Sequence, residues 1–258
     1  MANHDLPKLF DEFVDARKNG FLAAKEFKEK GGKLAGTLCS YTPQEVLDAG
    51  GIASVGLCGT SNETIPDAEK VLPKNLCPLI KSTYGFAYSE KCPYTYFSDI
   101  IVGETTCDGK KKMYELLNDI KETHILHLPQ GQDRPYAKDI WYEEVKLLKE
   151  RLEEKFNVTI TEDDLRKAVR KRNELRKVLC EMYELQQTCP PAMRGTEMML
   201  AFQKGSFTFD LDHYRRSFRS QDALQCRLFL FERNVDSVRN GVIMAEVSDQ
   251  EIGVDFSV

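Results

Sequence analysis

The residues best suited to chemistry in this sequence are eight cysteines: Cys39, Cys58, Cys77, Cys92, Cys107, Cys180, Cys189 and Cys226. Thiolates are soft ligands that favour iron–sulfur clusters, zinc or copper(I). Zinc ribbons and bacterial-type ferredoxins use closely spaced CxxC pairs, and this sequence has none. A metal site here would therefore have to draw each thiol from a different structural element.

Four of the cysteines share one local context. Cys39 ends an apolar, strand-like run just before a predicted helix start. Cys77 and Cys92 are each followed by proline, the residue preferred at the first position of a helix. Cys107 follows another strand-like run and precedes the helical pattern "DGKKKMYELL", whose Asp108 is the expected N-cap.

These contexts predict a common location. In an open parallel sheet, the carboxyl ends of the strands and the amino ends of the helices meet at the edge where ligands bind. Helix N–H groups and the macrodipole lower the pKa of a thiol and favour an anion, although each exposed helix end contributes only about 0.3–1 kcal/mol. Residue types and spacing alone leave two interpretations open: a metal or cluster site at this edge, or scattered buried cysteines.

The elements that would position these thiols alternate along the chain. A helix is predicted over residues 5–30, followed by the strand "KLAGTLCSY". The next helix is predicted to start with Thr42 as N-cap, Pro43 at the first position and Glu45 completing a capping box. "IASVGLC", "SDIIVGET" and "HILHLPQ" are further strands, with the helices "DAEKVL" and "GKKKMYELLNDIKE" between them.

The last part of this pattern is helical. Two long helices follow the final strand, and Thr161 and Asp164 mark the start of the second. Strands that alternate with helices predict an α/β fold with a small parallel sheet and flanking helices, similar to a Rossmann or flavodoxin-like lobe, plus a helical segment. We expect the lobe and its helical extension to occupy residues 1–210, and a divergent tail to occupy residues 211–258.

Composition narrows the class of protein. Of the 258 residues, 41% are hydrophobic and 30% are charged, which is typical of a soluble globular chain. A net charge of −5 argues against nucleic acid as the main partner. Because no membrane-spanning run or signal peptide is evident, we expect no membrane association and a cytoplasmic location, where disulfides are disfavoured.

The basic stretch 166–177 is either a solvated helix face or a docking patch for an acidic partner or a ligand phosphate.

Several long motifs resemble one known family. "LCSYTPQEVLDAGGI", "LPKNLCPLIKSTYGF", "VGETTCDGKKKMYELL" and "HILHLPQ" resemble the 2-hydroxyacyl-CoA dehydratase D-component family. "SEKCPYTYFSD" and "GLCGTSNETIPDAEK" look most similar to its double-cubane cluster branch. The resemblance covers about residues 30–150 and extends more loosely to about residue 210.

The resemblance implies a cofactor and its ligands. Cys39, Cys77 and Cys107 match the positions that hold [4Fe–4S] clusters in this family. Cys92 matches an extra thiol of the double-cubane branch, in which a sulfide bridges two such clusters. Cys58 is either a further ligand or a small buried hydrophobic residue.

Other residues are weaker candidates for the site. Cys180 and Cys189 are expected to have core or surface roles, and sheet packing explains His124 and His127 best. Three consecutive lysines, Lys110, Lys111 and Lys112, lie at the start of a predicted helix, where the helix dipole repels cations. They form either a solvated helix face or a positively charged group beside an anionic cluster. Two further polar residues near cysteines are Ser82 and Glu104.

The resemblance also implies a function. An ATP-hydrolysing iron–sulfur activator would deliver low-potential electrons, and the cluster would reduce a small-molecule substrate. One alternative is a subunit of a 2-hydroxyacyl-CoA dehydratase with an acyl-CoA substrate; another is a fragment without a complete cluster, or with structural zinc. The sequence has neither GxxxxGK[ST] nor GxGxxG, so we expect no ATP or NAD binding through those motifs. A homodimer is left open.

The end of the chain departs from the family pattern. From about Ser217 onward the sequence neither matches the family nor alternates between strand and helix patterns. Some forty residues cannot form the second α/β lobe of the family, because one βαβ unit already takes about 30. We therefore expect that lobe to be absent, the cysteine edge to be open to solvent, and Cys226 to have no role in the site.

Overall fold

The computed structural model describes residues 6–8, 11, 15–59, 61–187, 191 and 194–205. The predictions about the tail after residue 205, about Cys189 and about Cys226 lie outside these residues. Within them, no helix is both long and apolar enough to span a membrane.

The described chain alternates short strands with helices. The strands are β1 (Lys33–Thr37), β2 (Ile52–Gly56), β3 (Ile100–Glu104) and β4 (Thr123–Leu126). The helices are α1 (Asp15–Glu29), α2 (Gln44–Ala49), α3 (Ile65–Ala68), α4 (Pro78–Tyr88), α5 (Pro93–Phe97), α6 (Asp108–Ile120), α7 (Ala137–Phe156), α8 (Glu162–Glu184) and α9 (Gly195–Gly205).

The four strands form one parallel sheet in the order β2-β1-β3-β4. Thr37 pairs with Gly56 and with Val102, and Glu104 pairs with Leu126, so all four strands end on the same side. We call this side the carboxyl edge. The predicted α/β fold with a small parallel sheet, flanking helices and a helical segment is confirmed.

Helices cover both faces of the sheet, as a parallel sheet requires. Successive residues of β3 point to opposite faces: Ile101 packs with α1, α4, α5 and α6, whereas Ile100 and Val102 pack with α2 and α7. Every residue of β3 is buried. The apolar segments that precede the cysteines are therefore the strands at the centre of the fold, and their burial fixes the carboxyl edge.

The helix starts confirm some of the predicted capping and correct the rest. Pro78 and Pro93 begin α4 and α5 as expected. At α8, the Asp164 amide donates to the Thr161 hydroxyl, 3.2 Å away, and the Thr161 amide donates back to the Asp164 carboxylate. By contrast, Cys107 and not Asp108 is the N-cap of α6.

The capping box predicted at α2 is wrong. This helix begins at Gln44 after Pro43, and no side chain caps it. The Thr42 hydroxyl donates instead to the Glu104 carboxylate of β3, at 3.0 Å. A contact distant in sequence thus replaces the local cap, because Glu104 needs a hydrogen-bond partner where it is buried.

A close approach of backbones fixes the position of α4. A Cβ atom added to Gly85 would lie 2.1 Å from the Thr64 carbonyl oxygen. Replacing Gly85 with alanine is therefore expected to destabilise the protein by about 3 kcal/mol, the upper end of the usual cost of overpacking. Urea unfolding measures this change.

The matched control is Gly195→Ala, since an added Cβ there meets no atom within 4 Å. Both substitutions add one methyl group to a glycine of a helix. A Gly85→Ala protein as stable as the control would contradict the packing of α4 against Thr64.

Candidate functional site

Three cysteines follow three neighbouring strands at the carboxyl edge. Cys39 comes two residues after β1, Cys58 two residues after β2, and Cys107 three residues after β3. The Cys39 sulfur lies 3.1 Å from the Thr106 hydroxyl. The predicted location of Cys39 and Cys107 at one edge is therefore what the structure shows, and Cys58 joins them.

Lys110 contacts this group through Cys39. Its ammonium donates a hydrogen bond to the Cys39 sulfur, and the side chain is only 6% exposed. Burial by itself lowers the pKa of Lys110, but the hydrogen bond to Cys39 and the nearby sulfurs of Cys58 and Cys107 outweigh it and raise the pKa. We call Cys39, Cys58, Cys107 and Lys110 the thiol site.

Cys77 is the N-cap of α4, where it is exposed. Two glycines bring this helix close: a Cβ atom on Gly59 would lie 2.8 Å from the Thr83 amide nitrogen, and one on Gly109 would lie 3.1 Å from a methyl group of Leu76. The middle of α4 therefore packs against Gly59, next to Cys58, and its amino end packs against Gly109, two residues after Cys107.

The backbone of Cys39 is strained. Its φ of 75° is in the left-handed region, which non-glycine residues adopt at a cost of about 1–2 kcal/mol. Such strain persists only where the surroundings hold it, and it is common at functional sites. Here the contacts of the thiol with Lys110 and Thr106 hold it.

This strain predicts a difference between two substitutions. Without metal, Cys39→Gly is expected to be about 1 kcal/mol more stable than Cys39→Ala, since both lose the thiol but only glycine relieves the strain. Anaerobic thermal unfolding measures the difference. The control pair is Cys58→Gly and Cys58→Ala, because Cys58 has no positive φ. There the alanine variant should be at least as stable, and the same order at both positions would contradict the account.

Glu104 supports the loop that carries Cys39. It is fully buried, and one carboxylate oxygen accepts hydrogen bonds from the amide and the hydroxyl of Thr42. The other oxygen is buried without a partner among the described residues. Burial raises the pKa of Glu104, and the bonds from Thr42 offset part of the rise. Tyr114 also fixes Glu104 in place, since its hydroxyl donates to the Glu104 backbone carbonyl at 3.1 Å.

Cys92 has different surroundings. Its thiol is buried in the apolar core and accepts a hydrogen bond from the Thr95 amide at 3.4 Å. It begins α5, which packs on α1 and leads into the amino end of β3. Burial raises the pKa of Cys92, which disfavours the thiolate. Its role as a ligand stays a prediction.

The remaining candidates lie apart from the thiol site. Cys180 is exposed on α8. Burial lowers the pKa of His124 in β4, whereas His127 is exposed just after that strand. Lys111 pairs with Asp108, and Lys112 pairs with Glu115, on the surface of α6. Ser82 is buried and donates to the Ser61 carbonyl.

The arrangement of the thiol site bears on the kind of metal centre that it could hold. Among the described residues, no three His, Cys, Asp or Glu side chains are grouped closely enough to hold one ion. Structural zinc needs four ligands around one point. In a [4Fe–4S] cluster each thiolate binds a different iron atom, so its thiols do not need to meet at one point.

A cleft of about 930 Å³ opens beside Cys107. Its walls include Tyr41, Lys111, Gln130 and Trp141, so it combines aromatic surfaces with polar groups. This volume is typical of a site for a small molecule or cofactor. A ligand in the cleft would lie next to the thiol of Cys107.

The fold and the thiol site define a class of protein in which a parallel sheet presents cysteine thiols at its ligand-binding edge. The model of one family, described as 2-hydroxyglutaryl-CoA dehydratase, D-component, matches residues 39–223. The chain belongs to this family.

The chain is similar to several proteins that are named as subunits of dehydratases or of a reductase. The chain is 48% identical over 206 residues to YjiM of Escherichia coli (strain K12), a proposed dehydratase subunit, covering 80% of this chain and 54% of YjiM. It is 25% identical to the (R)-phenyllactyl-CoA dehydratase beta subunit of Clostridium sporogenes, covering 87% and 60%. It is 24% identical to a subunit of benzoyl-CoA reductase from Thauera aromatica, covering 72% and 49%. The chain thus spans about half the length of the curated relatives it matches.

Proposed function

We propose that this chain is a cluster-binding redox subunit that receives low-potential electrons from an ATP-hydrolysing iron–sulfur activator and passes them to a small substrate. The observation that supports this most is that Cys39, Cys58 and Cys107 each follow a strand at the carboxyl edge, where the buried Lys110 ammonium donates to the Cys39 sulfur. Membership of the D-component family supports the choice of an iron–sulfur cluster over another metal centre.

The residues have separate roles in this proposal. Cys39, Cys77 and Cys107 would bind the cluster, and Cys58, which follows β2 at the same edge, would be a further ligand. When bound, the cluster supplies one-electron transfer at low potential. Glu104 holds the loop of Cys39 through Thr42, and the cleft beside Cys107 admits the substrate. The protein thus contributes geometry, hydrogen bonds and access to the site.

The experiment is anaerobic reconstitution of the purified full chain with iron and sulfide, followed by addition of the family's activator protein and ATP. We expect iron and acid-labile sulfide in equal amounts, and bleaching of the visible absorption when activator and ATP are both present. Iron-free protein, or zinc without sulfide, would overturn the proposal. Omitting ATP is the control, because reduction by the activator should depend on its hydrolysis.

A second candidate is a subunit of a 2-hydroxyacyl-CoA dehydratase. Two observations favour it: a matching relative is the beta subunit of (R)-phenyllactyl-CoA dehydratase, and Cys92, the thiol that resembles the double-cubane branch, is buried in the core. Activity assays with lactoyl-CoA and phenyllactyl-CoA test it. Elimination of water to the unsaturated acyl-CoA, dependent on activator and ATP, would support the dehydratase over the first proposal.

A further inference from the structure

We propose that Lys110 is a positioning residue that holds the Cys39 thiolate and favours the reduced state of the bound cluster; this inference rests on the proposed function. Its basis is the location of the ammonium. Lys110 donates to Cys39 directly, and its charge also interacts with Cys58 and Cys107. Lysine is almost never fully buried unless it is paired, so the partner of Lys110 needs an explanation.

Two physical costs oppose a lysine at this position. Lys110 is the third residue of α6, where the positive end of the helix dipole repels a cation. Its side chain is buried, and burial disfavours the charged form. Anionic sulfur can offset both costs. Among the described residues, no carboxylate lies within ion-pair distance of the Lys110 ammonium. The positive charge of Lys110 nevertheless acts to lower the pKa of Glu104.

The charge of Lys110 has a direct consequence for reduction. A one-electron reduction adds one negative charge to the thiolate-bound cluster, and no proton or bond needs to move at Lys110. A fixed positive charge beside the sulfurs stabilises that added charge. Lys112 does not have this effect to the same extent, because it is 78% exposed and paired with Glu115, so solvent screens its charge.

The test compares three variants of the full chain after anaerobic reconstitution: Lys110→Met, Lys110→Arg and the surface control Lys112→Met. Potentiometric titration with dithionite measures the reduction potential, and iron and sulfide are counted in parallel. For Lys110→Met we expect the equilibrium for reduction to fall about tenfold, which is about 59 mV lower for a one-electron couple. Lys110→Arg should recover most of the shift, and Lys112→Met should leave the wild-type potential unchanged.

The other outcomes are equally informative. A folded Lys110→Met protein that binds no iron, beside a normal Lys112→Met protein, would also support the proposal, because Lys110 then holds the ligand thiolate. If the methionine variant does not fold, Lys110→Gln keeps a polar side chain and must show the same lower potential. Equal potentials and iron contents in all variants would overturn the role of Lys110 and leave the proposed function intact. Wild-type protein without iron would instead refute the proposed function.

Discussion

Replacing Cys39 or Cys107 with alanine is expected to abolish cluster assembly in the reconstituted protein. Both thiols lie at the carboxyl edge, one bonded to the Lys110 ammonium and the other within reach of its charge. Metal–thiolate bonds supply most of the binding energy, so loss of one of the few ligands removes far more than a helix end can provide. Iron, sulfide and the visible spectrum measure the loss.

The same measurement applied to other cysteines separates ligands from the rest. Cys77→Ala should also lose the cluster, and Cys58→Ala shows whether this half-buried thiol is a ligand or a packing residue. Cys180→Ala is the matched control, because that thiol is exposed on α8. Normal iron content in the Cys39→Ala and Cys107→Ala proteins would contradict the assignment of the site to this edge.

Replacing Arg172 with methionine is expected to destabilise the protein by about 3–5 kcal/mol, because it leaves the Asp48 carboxylate, which is only 13% exposed, without its partner. Arg172 of α8 donates to both oxygens of Asp48 on α2, and it also donates to Gln44 at 2.6 Å and to Ser54 at 3.3 Å. This ion pair attaches the helical segment to the sheet lobe. Urea unfolding measures the change.

Two further variants test the cause of that loss. Arg172→Met with Asp48→Leu should recover much of the stability, since no unpaired charge remains. Arg166→Met should cost less than about 1 kcal/mol, because Arg166 is 63% exposed in its pair with Glu162. If the Arg172→Met and Arg166→Met proteins were equally stable, the buried ion pair would not be what holds α8 on the lobe.

Much of this architecture could be predicted from sequence, because local patterns carried the information. Buried strands read as apolar runs, and Pro78, Pro93 and the Thr161–Asp164 pair marked helix starts that the structure contains. A parallel sheet brings the ends of its strands together, so the cysteines that follow strands could be placed at one edge.

Contacts between distant residues could not be predicted in the same way. Thr42 has the sequence of a helix cap, yet it bonds to Glu104, which is 62 positions away. In the sequence, Lys110 could not be told apart from the two lysines that follow it. Only its hydrogen bond to Cys39 in the structure distinguishes it. Cys92 shares the Cys-Pro pattern of Cys77, but its helix leads into the amino end of β3 and places the thiol in the core. The pattern indicates a helix start and does not indicate which side of the sheet it faces.

The measurement that tests the central claim most directly is Mössbauer spectroscopy of the anaerobically reconstituted, ⁵⁷Fe-labelled full chain. The account predicts the spectrum of a [4Fe–4S] cluster, with sulfide equal to iron, and its disappearance in the Cys39→Ala and Cys107→Ala proteins. A spectrum of iron bound without sulfide, or one unchanged by both substitutions, would contradict a cluster held by the thiols of the carboxyl edge.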